Sequence, residues 1–445
     1  MRAFVIAAMH SGAGKTVLSC ALMAALTQRG LRVQAFKCGP DYIDPMFHSR
    51  VLGIPGRNLD LFLQGEKRVR ESFFSSDADV AVLEGAMGYY DGLGGTAQHS
   101  AWDLANRLGL KCVLVLRPKG DGLTLAAQVR GLMQFREKSR ISAMILNGCT
   151  GRSAEMLRPI LERECGIPVL GYLPPTEDAE IDSRHLGLLT AGEIADLTGR
   201  FERIARQAEA QIDLDALLRL VSETEPAERH LAPKAPLCRI AVARDEAFCF
   251  QYEDGLDALR EAGAELRFFS PMRDRVLPEG CRGLYLCGGY PELYAGTLSE
   301  NAAMRAAVKR AVEAGLPTVA ECGGFLYLQD CLEGADGNRY PMCGALPGQG
   351  IRRGHPVRFG YLTLKAEEDS LLFRTGEEIP AHEFHYWDST ACGSDLYAEK
   401  RSGKSWRCGI ANRRLYAAFP HLHFGGELPL AERFVKACLD DEISG

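Results

Sequence analysis

The stretch FVIAAMHSGAGKTVLSCALMAALTQRG, residues 4–30, decides the fold. Phe4–Ala8 reads as a strand with no polar face, the pattern of a parallel strand buried on both sides. A glycine loop, Ser11-Gly12-Ala13-Gly14, follows it. Lys15-Thr16 then opens a helix with Val17, Leu18, Ala21, Leu22, Ala25 and Leu26 at helical spacing, and Gly30 closes it. Strand, glycine loop and helix in that order present backbone N–H groups at a helix N-terminus, where they wrap phosphate. The loop matches G-x-x-x-x-G-K-[ST] at Gly14, Lys15 and Thr16 but carries Met9 in place of the first glycine. Ser11, Gly12, Ala13 and Gly14 are therefore candidates for binding the phosphates of ATP. Lys15 would neutralise the outer phosphates and Thr16 would offer its hydroxyl to magnesium.

Working outward, Val33–Phe36, Val80–Leu83, Val113–Leu116, Ala143–Leu146 and Val169–Tyr172 are apolar runs alternating with helical stretches, which predicts a doubly wound α/β domain. FKCGPDYIDP (36–45) follows the second run, at the carboxyl edge of the sheet where open α/β sheets bind ligands. There Asp41 and Asp44 beside Lys37 suit a hydrated magnesium ion and a negatively charged substrate. Glu84 ends the next run in the Walker B manner, within reach of the metal, and Asp91 lies in a glycine-rich loop that can close over substrate. Asn147 follows another strand and reads either as a contact to the base or as a turn residue.

The chain has 445 residues, 46% hydrophobic and 25% charged, which excludes the disordered and fibrous classes. No apolar run of about 18 residues predicts a membrane span. The apolar N-terminus reads as a strand rather than a signal peptide. A net charge of -6 argues against general nucleic-acid binding. The 15 cysteines are odd in number, scattered, and without zinc spacing, so reduced thiols in a cytoplasmic protein are expected. Residues 222–237 are polar and hold three prolines, which predicts a linker between domains at 1–221 and 238–445.

The second domain repeats the alternation, with strands at Arg239–Ala243, Glu265–Phe269, Gly283–Leu286 and Pro317–Ala320 and a helix at Asp254–Ala262. Strand, Cys322, two glycines and helix make a nucleophile elbow with cysteine in place of serine. The helix N-terminus is expected to favour the thiolate, and the N–H of Gly323 to stabilise an oxyanion. Gly288 and Gly289, in CGGYPE (287–292), offer a second donor. In AAFPHLHF (417–424), His421 and His423 point the same way from an extended segment, so either can deprotonate Cys322. Glu383 and His385 in AHEFHY (381–386) read equally as site groups and as strand residues bonded to backbone.

These motifs together resemble the cobyrinic acid a,c-diamide synthase family, glutamine-dependent amide ligases of cobalamin biosynthesis. The resemblance runs from SGAGKT (11–16), FKCGPDYIDP (36–45) and LEGAMGYYDG (83–92) through DSRHLGL (182–188) and ARDEAFCF (243–250) to CGGYPE (287–292), AECGGFLYL (320–328), HEFHY (382–386) and HLHF (421–424). It implies an N-terminal P-loop synthetase domain similar to dethiobiotin synthetase and a C-terminal class I glutamine amidotransferase domain. It also implies the chemistry: ATP phosphorylates a corrinoid carboxylate, L-glutamine is hydrolysed through a Cys322 thioester, and the ammonia converts the acyl phosphate to an amide. By the same resemblance Asp44 and Glu84 complete the magnesium shell with Thr16, and Asp41, Tyr42, Ile43 and Asp91 face the substrate carboxylates. His421 is then the base. Class I amidotransferases usually carry a glutamate two residues after that histidine, where this chain has His423; His423, Glu383 or a plain Cys-His dyad stay open as what orients it. Hydrogenobyrinic acid and nickel sirohydrochlorin are alternative acceptors, and a homodimer stays open. A ParA/MinD-like positioning ATPase would keep the phosphate loop but has no use for Cys322, and its signature lysine is His10 here.

Overall fold

The structure, a computed structural model, describes residues 1–179, 183–184, 187–188, 196–224 and 235–440. Of the DSRHLGL motif, residues 182, 185 and 186 lie outside these, as do residues 225–234 of the expected linker. The chain divides into two compact units, Met1–Arg229 and His230–Gly445.

The first unit is built on an eight-stranded sheet. Its strands are β1 (Arg2–Ala8), β2 (Val33–Cys38), β3 (Arg57–Leu59), β4 (Val80–Glu84), β5 (Lys111–Leu116), β6 (Ile141–Asn147) and β7 (Val169–Leu173), in the order β3-β2-β4-β1-β5-β6-β7. All these pairs are parallel, and Ser222–Glu223 adds an antiparallel partner to Arg2 and Ala3. The apolar run in β1 is explained by its central place. Phe4, Ile6 and Ala8 enter the core on one side of the sheet, while Ala3, Val5 and Ala7 enter the core on the other.

Helix α1 (Lys15–Gln28) departs from the amphipathic reading. Every residue from Leu18 to Leu26 is buried. The helix lies on the sheet and is flanked by α2 (Ile43–Leu52) and by the helix Leu197–Gln211, so little of its surface meets water. Cys20, Ala21, Ala24 and Ala25 are the small residues that let these neighbours approach.

The second unit carries a six-stranded sheet in the order Ala264–Phe269, Cys238–Ala243, Gly283–Leu286, Thr318–Glu321, Leu415–Ala418, Ile410–Ala411. Its pairs are parallel except the last. Two four-stranded sheets, drawn from residues 331–408, add what the α/β reading did not anticipate. One of them holds Glu378–His385 paired antiparallel with Arg358–Ala366, so the HEFHY segment is a strand at its first four residues. Among the described residues no helix is long and apolar enough to cross a membrane.

Leu22 is fully buried in the middle of α1. Leu22→Ala is expected to destabilise the first unit by about 2–5 kcal/mol, the cost of a cavity that packed neighbours cannot fill. Urea unfolding followed by a probe in that unit checks this, and an unmoved midpoint contradicts the packing described.

Candidate active site

Both units place their chemistry just beyond the carboxyl ends of parallel strands. In the first, Gly12 and Gly14 turn the loop after β1 through left-handed backbone, with φ of 77° and 84°. A Cβ on Gly14 would run into the side-chain amide of Asn147. That amide donates to the Ala13 carbonyl at 2.8 Å, so Asn147 braces the phosphate loop. Arg117 adds a second brace, from Nη1 to the Gly12 carbonyl at 2.9 Å. Lys15 is buried, and its Nζ donates to the carbonyls of Met87 at 2.6 Å and His10 at 3.3 Å. Burial, with Lys37 adding, draws its pKa down to about 8. Ser11 and Gly12 are exposed at the loop's crest. Met9, in the place of the first motif glycine, packs against the core.

Behind the loop sits an oxygen cluster. Thr16 Oγ1 donates toward Asp44 Oδ1 at 3.1 Å and Glu84 Oε1 at 2.9 Å. Lys37, expected to face substrate, is instead buried between these acids, 2.5 Å from Asp44 and 2.9 Å from Glu84. The reason lies in register: Lys37 and Glu84 are direct neighbours across β2 and β4. His48, which sequence reasoning missed, comes in from α2 with Nε2 2.7 Å from Glu84 Oε2. Burial works against the charge of Glu84, but Lys37 and His48 more than offset it and hold its pKa below the usual range. Burial pushes Asp44 well up, with Asp41 adding. A hydroxyl and two carboxylates fit magnesium, which binds through few protein oxygens and fills its shell with phosphate and water. Among the described residues no group of three or more His, Cys, Asp or Glu side chains is placed to hold a metal ion.

The remaining substrate candidates divide by what their side chains already do. Asp41 Oδ1 accepts from the backbone N–H of Ile43 at 2.8 Å and Asp44 at 3.1 Å, starting α2. Ile43 packs against the core, and Tyr42 is half-buried. Asp91 Oδ2 accepts from the Gly88 N–H at 2.9 Å, closing its own turn. A Cβ on Gly88 would meet that same oxygen at 2.5 Å and the Met9 carbonyl at 2.6 Å, so this loop is laid against the phosphate loop.

In the second unit Cys322 joins the strand Thr318–Glu321 to the short helix Gly323–Leu328 with φ 48° and ψ -101°, the strained backbone of an elbow. Its N–H donates to Ala418 O at 2.8 Å, at the end of the neighbouring strand that leads to His421. Glycine is required around it. A Cβ on Gly324 would strike the Leu286 carbonyl, and one on Gly323 would stand 3.2 Å from the N of Gly289. One on Gly288 would strike the His421 ring. Gly288, Gly289, Gly323, Cys322 and His421 thus come together as the sequence proposes. The 287–292 loop is pinned by Phe250 N–H to Gly288 O at 3.0 Å and Tyr290 N–H to Ala247 O at 2.9 Å.

The expected thiolate is not what the surroundings favour. Burial pushes the Cys322 thiol well up, with Glu292 and Glu383 adding, and the Gly323 N–H offsets only part. Burial also draws His421 down to about 3, with His382 and His385 adding. Both shifts favour a neutral thiol and a neutral imidazole. The His421 backbone exchanges hydrogen bonds with His382, at 2.8 and 3.2 Å. His423 stacks on Tyr252 with centroids 4.7 Å apart, and its Nδ1 accepts from Gly425 N–H at 3.1 Å. Glu383 is fully buried with both carboxyl oxygens lacking a hydrogen bond, and burial lifts its pKa to about 7. Its charged neighbours are Arg358, Lys400 and Asp388. His385 Nδ1 lies 2.5 Å from the Trp387 carbonyl, and its ring stacks on Phe419. The carboxylate beside His421 is one that sequence reasoning passed over: Glu321, with Oε2 3.9 Å from His421 Nδ1. Its signal was an acid closing the apolar strand before the nucleophile.

Comparison with known proteins agrees with this layout. Residues 4–189 match the CobQ/CobB/MinD/ParA nucleotide binding domain, and residues 239–428 match the CobB/CobQ-like glutamine amidotransferase domain. A Clostridium acetobutylicum protein named cobyrinate a,c-diamide synthase is 39% identical, covering 98% of this chain and 100% of that protein. Proteins of the same name from Caldanaerobacter subterraneus subsp. tengcongensis and Streptococcus sanguinis are 38% and 39% identical, covering 98% and 95% of this chain and 98% and 96% of their own.

Gly14→Ala is expected to weaken ATP binding by about tenfold or more (~1.4 kcal/mol), through both the left-handed backbone and the collision with Asn147. The double variant Gly14→Ala/Asn147→Ala should recover part of the loss in a nucleotide titration. Unaltered affinity in Gly14→Ala contradicts the loop geometry.

Proposed function

The chain belongs to the cobyrinate a,c-diamide synthase family, and from that premise we propose that it amidates the a and c carboxylates of cobyrinic acid, using ATP and glutamine. The observation that carries the reading is the presence in one chain of two constellations. One is the Thr16–Asp44–Glu84 oxygen cluster behind a phosphate loop; the other is the strained Cys322 elbow beside His421.

In the first unit the loop N–H groups and Lys15 hold the triphosphate. Thr16, Asp44 and Glu84 would hold magnesium, which when bound screens the charge of the outer phosphates. Lys37 and His48 keep Glu84 ionised for that task. A substrate carboxylate oxygen attacks the γ-phosphorus, the bond to the β-phosphate oxygen breaks, and acyl phosphate and ADP result. Asp91 and the 85–92 loop lie beside the phosphate loop, where that carboxylate must arrive.

In the second unit, His421 takes the thiol proton as Cys322 Sγ attacks the glutamine amide carbon. The backbone N–H groups of the 288–289 loop and of Gly323 serve the oxyanion. The proton passes to the leaving nitrogen, ammonia departs, and water releases glutamate from the thioester. Ammonia then attacks the acyl phosphate, expelling phosphate and losing a proton, to give the amide. From a neutral thiol and a neutral imidazole, the proton stays on Cys322 sulfur until glutamine arrives and His421 takes it.

Incubation with cobyrinic acid, magnesium-ATP and glutamine should yield two successive carboxylate-to-amide conversions by product mass. Hydrolysis of ATP and glutamine without amide would move the acceptor to hydrogenobyrinic acid or nickel sirohydrochlorin. Cys322→Ala should abolish glutamine-dependent amidation and keep the ammonia-dependent reaction; loss of both in a folded variant contradicts the division of labour. Glu84→Gln should lower amidation with either nitrogen source by roughly 10²-fold or more, the scale of a lost transition-state charge contact, while sparing glutaminase turnover. Undiminished amidation would remove Glu84 from the metal site.

A further inference from the structure

We infer that Glu321, the residue immediately before the nucleophile, is the acid that positions His421, in place of the carboxylate expected two residues after that histidine. The inference rests on the reading of Cys322 and His421 as the glutaminase pair, and it names the group that completes them.

Glu321 ends the strand Thr318–Glu321 and is fully buried. A carboxyl group in such a place is costly unless its oxygens are used. Both are. Oε1 accepts from the backbone N–H of Leu422 at 2.8 Å, and Oε2 accepts from the Tyr285 hydroxyl at 2.9 Å. The same Oε2 faces His421 Nδ1 at 3.9 Å. One oxygen therefore fixes the backbone next to His421, and the other faces its ring.

A separation of 3.9 Å is too long for a hydrogen bond but within the range of an ion pair. It suits a resting imidazole that becomes charged only during turnover. When His421 takes the proton from Cys322, the imidazolium gains a buried carboxylate at Nδ1, and Nε2 is the nitrogen left to carry the proton to the departing ammonia. Of the alternatives, His423 Nδ1 already accepts from Gly425, and Glu383, whose oxygens lack a hydrogen bond, has Arg358, Lys400 and Asp388 as charged neighbours.

The geometry also sets a pH dependence. The titratable groups facing Glu321 are Tyr285, Cys287, Cys322, Tyr416 and His421, and those facing His421 beyond it are His382 and His385. Burial pushes the Glu321 carboxyl up to about 7, while the Leu422 N–H and the Tyr285 hydroxyl pull it back. Glutaminase kcat/KM should thus rise with pH through about 7 as Glu321 ionises.

The test is glutamate release by the full chain with magnesium-ATP and cobyrinic acid, measured across pH for the wild type, Glu321→Gln and Tyr285→Phe. Ammonia-dependent amidation serves as the control for the synthetase unit. Glu321→Gln should lower kcat by roughly 10²–10⁴-fold with little change in KM for glutamine, remove the limb near neutral pH, and leave ammonia-dependent amidation intact. Tyr285→Phe should keep substantial kcat and move that limb to higher pH, because the carboxyl loses a donor that favours its charged form. A Glu321→Gln enzyme with wild-type kcat, or a Tyr285→Phe limb that stays in place, overturns the inference. If Glu321→Gln fails to fold, the Tyr285→Phe limb decides alone, since a merely structural glutamate would leave it unmoved. A wild type that makes amide from ammonia but releases no glutamate would overturn the glutaminase reading beneath it.

Discussion

The first unit depends on keeping one fully buried carboxylate charged. Glu84 stands at the end of β4 with no exposure to water, and it stays ionised because Lys37 and His48 contact it. Breaking a buried pair of this kind costs about 3–5 kcal/mol, so the neighbours are not free to vary. Lys37 must come from the adjacent strand at the matching register, and His48 must come from the helix that follows it. Thr16, at the start of α1, is then held by Glu84 and Asp44 together. Sheet order, helix placement and phosphate-loop shape converge on that oxygen cluster.

The second unit solves a related problem with the opposite charge economy. Backbone and rings leave the glycines around its elbow no room for a side chain, and burial favours neutral thiol and imidazole. A reaction that creates an imidazolium in such a place needs a carboxylate nearby, and Glu321 lies beside the ring that would carry it. Both units place the decisive acid at the last position of a parallel strand, Glu84 and Glu321, where the side chain leaves the core for the ligand edge.

Much of this was legible because the chemistry is written in short, position-specific words. Gly14-Lys15-Thr16 after an apolar strand, and Glu321-Cys322-Gly323-Gly324 before a helix, each name strand, turn and helix at once. Groups whose partners are distant in sequence were not legible. Asn147 was placed correctly on its strand end, but that its amide spans to Ala13 depends on how β6 lies against the loop after β1. Lys37 was read as facing substrate because the sequence shows the lysine and not the acid across the strand pair. His48 carried no motif, and its role exists only through Glu84. Burial opposes the expected thiolate, and a helix of six residues adds little against it. The antiparallel strands between residues 331 and 408 mix buried with partly exposed positions, without the wholly apolar runs that marked the parallel ones.

The central claim is that a substrate carboxylate is activated by phosphorylation before the nitrogen arrives. Cobyrinic acid labelled with ¹⁸O in its carboxylates, incubated with the chain, magnesium-ATP and glutamine, tests it directly by ³¹P spectroscopy of the released phosphate. The account predicts one ¹⁸O in inorganic phosphate for each amide formed. Amide formation with unlabelled phosphate would contradict it.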